Sequence, residues 1–202
     1  MPMRTGVIWT AVLLAGLTAQ PAASQPPTDM ESAAPVTVAA PATFQASCAR
    51  YAWLCANVPA AADIPADRLL ALARSVNRRV NRSISQLTDA ENYGVADYWT
   101  LPVNGRGDCE DFVLLKYRLL FEAGVSGQDL AVAIVLDRNG DNHAVLVLRH
   151  ASGDLVLDNL RAEILPWSET GYRFLAMQSA RDSALWEVVA DRSQTSPVLA
   201  SL

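Results

Sequence analysis

Apolar and polar positions alternate along this chain in three distinct ways. Over Asp67–Ser85, apolar residues return at three- and four-residue steps: Leu69, Leu72, Ala73, Val76, Val80 and Ile84. Arg74, Arg78, Arg79 and Arg82 fall between them. That period predicts an amphipathic helix whose basic side is solvated surface. Gly105–Gly124 behaves differently. It opens on a glycine turn, offers Asp108 as an N-cap with Asp111 as a weak capping-box echo, and closes on Gly124, a residue suited to a left-handed C′ position. Between Phe112 and Phe121 it is apolar on nearly every side, which predicts a central, buried helix. The third pattern is a series of short apolar runs: Leu130–Asp137, His143–His150, Leu155–Asp158, Tyr172–Gln178 and Ala184–Ala190. Turn signals separate them at Asn139-Gly140-Asp141, Ala151–Asp154 and Arg181-Asp182, so they read as antiparallel strands. Helices followed by an antiparallel sheet, with the Gly105–Gly124 helix packed on it, make an α+β architecture.

Between the two helices, Thr88–Asn104 reads as a loop carrying Tyr93, Tyr98 and Trp99. Its aromatics either pack over the core or wall a cleft. The two ends of the chain fall outside the periodic region. Met1–Arg4 is a short basic start, Gly6–Leu17 is apolar but short for a bilayer span, and Ala22-Ala23-Ser24 supplies small residues for cleavage. Residues 1–24 are therefore expected to be a secretory signal peptide, with an uncleaved anchor as the alternative. Residues 25–43, rich in Pro, Ala, Thr and Ser, read as a linker. The folded domain is expected over 44–192 and a tail over 193–202. No later segment reads as transmembrane, so the mature protein is expected to be exported, and periplasmic in a cell with two membranes.

Composition narrows the function. A chain of 202 residues with 51% hydrophobic content has the means to bury a core. A net charge of −5 without a basic cluster excludes nucleic acid as a partner. Three cysteines, Cys48, Cys55 and Cys109, lie beyond the leader. In an oxidising compartment an odd count points to one pair and one free thiol. Cys48 and Cys55 are the natural pair by proximity, with two unpaired structural thiols as the alternative.

The free thiol is the chemically interesting one. Cys109 stands in the first turn of the buried helix, where the helix dipole favours a thiolate. The chain has only two histidines. His143 begins a strand and shares a face with Val145 and Val147. A two-residue turn at Ala151-Ser152 sets Asp158 opposite Val145, diagonal to His143, at a Cβ separation of about 7–8 Å. A four-residue loop sets it opposite Val147 and out of reach. Both registers leave Asp158 on the face of His143. Cys109, His143 and Asp158 thus form a candidate nucleophile, base and orienter. Asp108, Glu110 and Asp111 crowd the thiol with carboxylates that, left uncompensated, raise its pKa. They are either helix-capping acids or ligands for a hard cation.

The motifs G-D-C-E-D-F-x-x-x-K, N-H-A-V-L-V-L and L-V-L-D-N resemble, in order and spacing, those of the bacterial transglutaminase-like cysteine peptidases. V-N-R-R-V-N-R-S-I and Y-G-V-A-D-Y-W-T-L-P fit the same pattern, and the resemblance runs from about Ala46 to Tyr172. It implies a papain-like, transglutaminase-like fold with Cys109, His143 and Asp158 as the triad. Its LapG-type members are periplasmic proteases that cut the N-terminal region of large surface adhesins, commonly at a dialanine, and so release biofilm cells. An inner-membrane cyclic-di-GMP receptor sequesters them. The resemblance also implies Ca²⁺ held beside the nucleophile, here by Asp108, Glu110 and Asp111. Two alternatives stay open: acyl transfer to an amine by the same triad, and a catalytically idle receptor-binding module.

Overall fold

The computed structural model describes residues 36–56 and 64–189. Its elements in chain order are β1 (Thr37–Val38), α1 (Ala42–Arg50), α2 (Ala66–Ser83), β2 (Ser85–Gln86), α3 (Asp89–Asn92), β3 (Arg106–Gly107) and α4 (Cys109–Glu122). They continue with β4 (Leu130–Leu136), β5 (Asn142–Leu148), β6 (Leu155–Leu157), β7 (Leu165–Pro166), β8 (Arg173–Gln178) and β9 (Trp186–Val188). Seven strands form an antiparallel sheet in the order β1-β9-β8-β4-β5-β6-β7. β2 and β3 pair separately, in parallel. The expected α+β architecture is what the chain adopts.

Alternation along the strands divides the core. Val132, Ala144, Leu146, Leu148 and Leu157 face α4 and α2, where they meet Leu114, Leu120, Val76 and Val80. Ala133, Val145, Val147 and Val156 point to the other face, against Phe174 and Met177. β5 is buried on both faces because it is central. α2 buries its apolar stripe and leaves Arg74, Arg78, Arg79 and Arg82 exposed, as its period demands. α4 is the central helix. It ends when Gly124 takes φ +94°. The Gly124 N–H then bonds the Phe121 carbonyl at 2.9 Å and the Val125 N–H the Leu120 carbonyl at 3.1 Å, which is a Schellman closure.

Three expectations shift. Composition assigns residues 37–43 to the linker, yet Thr37 and Val38 form an edge strand against Glu187 and Trp186, and Ala42 opens α1. The loop over Thr88–Asn104 contains α3, capped by a full box: the Thr88 side chain accepts from the Glu91 amide while Glu91 accepts from the Thr88 amide. Asp108 stands at the N-cap of α4 but makes no side-chain capping bond. Its Oδ2 accepts the Asp89 N–H at 3.3 Å instead, so the carboxylate turns away from the helix it precedes. Cys48 and Cys55 form a disulfide with Cα atoms 5.6 Å apart, leaving Cys109 free. The expected signal peptide and tail lie outside the described residues. Among those described, no helix is long and apolar enough to cross a membrane.

Candidate active site

The turn between β5 and β6 decides whether a histidine and an aspartate can meet. The Gly153 N–H bonds back to the His150 carbonyl at 2.8 Å, and Gly153 takes φ +106°. This two-residue turn sets Leu146 opposite Leu157 and Leu148 opposite Leu155. Asp158 then follows β6 diagonally across from His143. Of the two registers the sequence allows, this is the one that closes the contact: His143 Nε2 lies 2.9 Å from Asp158 Oδ1. Both side chains are buried. Burial alone pushes a carboxyl up, but the bonds from His143 and Tyr172 outweigh it and hold Asp158 below its usual range. An ionised Asp158 accepts the Nε2–H, which leaves Nδ1 as the imidazole's open nitrogen.

α4 delivers Cys109 to the same place. A cleft of about 860 Å³ is lined by Cys109 and His143, by Trp99 and Ala176, and along one wall by Val38–Thr43. Trp99 is both a packing residue and a cleft wall, since its ring also meets Phe44 edge-on at 5.3 Å. Thr43 Oγ1 donates to Asp97 Oδ2 and ties the wall formed by the N-terminal segment to the loop behind the thiol. Cys109 and His143 share this cleft without a hydrogen bond between them. The thiol instead donates to Glu110 Oε2 at 3.1 Å. Burial pushes the Cys109 pKa far up, the Glu110 charge adds to that, and the Ala144 backbone N–H works against both.

The acids around the thiol are arranged differently from the sequence expectation. Asp108, Glu110 and Asp111 do not form one cluster. Asp89, Asp108 and Asp111 bring carboxylate oxygens within 4.8 Å of one another, and Asp89, Asp97 and Glu110 do the same. Asp89 is common to both sets, and sequence reading missed both it and Asp97. A signal was present: T-D-A-E is a capping-box signature, and it fixes Asp89 at the start of a helix. Gly107 makes room for the cluster, because a Cβ there would sit 2.4 Å from Asp111 Oδ2.

Buried oxygens of this cluster lack partners: Asp89 Oδ1, Asp108 Oδ1 and Asp111 Oδ2. Burial drives the Glu110 carboxyl up to about 10 and that of Asp111 up to about 8. Carboxylates packed together without a cation resist ionisation. Orphaned hard oxygens from several segments are the donor set that a hard divalent cation takes. The residues present therefore fit such an ion.

Solved structures of LapG from Legionella pneumophila resemble the chain. The calcium-bound form shares 28% identity at a TM-score of 0.50, covering 65% of this chain and 74% of LapG. The EGTA-treated form shares 30% at 0.50, covering 62% and 69%. A further LapG structure shares 29% at 0.51, covering 62% and 72%. No curated protein sequence matches. A family model for the bacterial transglutaminase-like cysteine proteinases matches residues 35–194, a span that contains every described residue with the cysteine, histidine and acidic motifs, and this chain belongs to that family of cysteine peptidases.

Proposed function

We propose that this cysteine peptidase is an exported, calcium-dependent endopeptidase that works through Cys109, His143 and Asp158. It cleaves the N-terminal region of a large surface adhesin and so controls biofilm attachment. The observation that carries the reading is the buried His143–Asp158 pair bordering the cleft that holds the free thiol of Cys109. Asp158 fixes the proton on Nε2, so Nδ1 accepts the thiol proton. The thiolate then attacks the scissile carbonyl carbon. His143 returns the proton to the leaving amine as the C–N bond breaks, and water hydrolyses the thioester with His143 again as base. The Cys109 backbone N–H, at the tip of α4, is the donor for the oxyanion.

Asp89, Asp97, Asp108, Glu110 and Asp111 supply the oxygens for Ca²⁺. The bound ion supplies positive charge that offsets these carboxylates and lowers the thiol pKa. The calcium-bound and EGTA-treated forms of the similar LapG support this reading. The adhesin, the periplasmic location and a sequestering cyclic-di-GMP receptor follow from the family resemblance. The disulfide between Cys48 and Cys55 agrees with export. The test is incubation with an adhesin N-terminal fragment, with and without an added amine. Cleavage is expected to need calcium, to stop with EGTA and to be absent from Cys109→Ala. Proteolysis by that variant, or product found only as an amine adduct, would overturn the reading.

A further inference from the structure

Asp158 is only 2% exposed, an environment that favours a neutral carboxyl. A neutral Asp158 has no use for the Nε2–H of His143, and the imidazole then loses the group that sets its tautomer. Something must keep this carboxyl ionised, and one side chain outside the triad bonds it directly.

That side chain is Tyr172. Its hydroxyl donates to Asp158 Oδ2 at 2.5 Å, while Oδ1 receives His143 Nε2 at 2.9 Å and the Leu160 N–H at 3.0 Å. With donors on both oxygens, the acceptor-only carboxylate is the form that satisfies all three bonds, since a proton on either oxygen would compete with one of them. The Tyr172 ring also stands edge-on to the His143 imidazole, with centroids 5.8 Å apart. Its own placement is fixed locally. The Tyr172 N–H bonds Thr170 Oγ1 at 3.1 Å, Gly171 before it takes φ +72°, and Arg161 lies 5.9 Å from the ring centroid.

We propose that Tyr172 is a positioning residue that holds Asp158 as a carboxylate with Oδ1 turned to His143. The proposal rests on the triad reading given above. Tyr172 bonds one oxygen of the carboxylate and acts on His143 through the other.

Tyr172→Phe tests this, read by kinetics and by the low-field proton resonance of the His143–Asp158 bond in NMR. It is expected to lower kcat roughly ten- to hundredfold at unchanged KM, in line with loss of one hydrogen bond to a charged group. Its His143 proton resonance shifts or broadens, and the acid limb of its pH–rate profile moves to higher pH, because Asp158 loses a donor that favours its ionised form. An unmoved resonance with a wild-type pH profile would overturn the proposal. Should the wild-type protein cleave no peptide, the triad reading fails, while the NMR comparison still decides whether Tyr172 holds the Asp158–His143 bond.

Discussion

Asp89→Asn separates a cation site from a merely acidic surface. The substitution keeps a carbonyl oxygen to accept the Tyr98 N–H but removes the charge shared by both carboxylate sets. Burial and the neighbouring Asp108 charge push the Asp89 pKa up, so without the ion the native carboxylate is held unfavourably. Losing it is expected to leave the cation-free protein as stable as before or more so. With calcium the sign reverses. At about one hundred times the dissociation constant, binding stabilises the native state by about 2.7 kcal/mol. For a domain of this size that is a rise of roughly 5–10 °C in melting temperature. Removing one carboxylate that weakens binding about tenfold cuts the increment at the same calcium concentration to about 1.4 kcal/mol. Paired thermal melts in EGTA and in calcium, with calorimetric titration of the ion, measure both halves. An Asp89→Asn variant with the full wild-type calcium increment would refute the assignment of Asp89 to the site. A large loss of stability in EGTA would show that Asp89 is structural instead.

Two more outcomes follow from the same geometry. Gly107→Ala places a Cβ 2.6 Å from that of Asp111 and closer still to its Oδ2, so Asp111 must move and release its bond to the Thr100 N–H. A loss of about 1–3 kcal/mol by denaturant unfolding, together with weaker calcium binding by calorimetry, is expected, and wild-type values for both would show that the loop yields freely. Asp158 is held below its usual 3.8, so its contribution to stability is fully present above that value and is lost as pH falls through the folded-state value. Asp158→Asn is expected to remove that part of the acid transition, and unfolding curves of unchanged steepness between pH 5 and pH 2 would contradict it.

What could be read from the sequence, and what could not, divides by the range over which each feature is determined. α4, its glycine stop and the free thiol at its tip follow from contiguous residues, because capping and periodicity act within a turn or two. The His143–Asp158 contact was half legible. Alternation fixed the shared face, but the choice between two registers fell to Gly153, whose left-handed φ makes the two-residue turn that no apolar pattern records. The Pro- and Ala-rich composition of residues 25–43 concealed β1, because its two residues are strand only by pairing with β9 near the far end of the fold. The environment of the nucleophile was the least legible part. Asp108, Glu110 and Asp111 were visible beside Cys109, but proximity in sequence sends neighbouring helical side chains in different directions, so they divide between two sets. Asp89 and Asp97 complete those sets from a loop that looked unstructured. Lys116 stands in the sequence as the last residue of the G-D-C-E-D-F-x-x-x-K motif, and only the packing of α4 on the sheet shows that its charge is sealed inside. The residues that would do the chemistry are thus written in local motifs. The residues that would set their charge states come from elsewhere in the chain and meet only when the sheet, the loop and the helix are assembled.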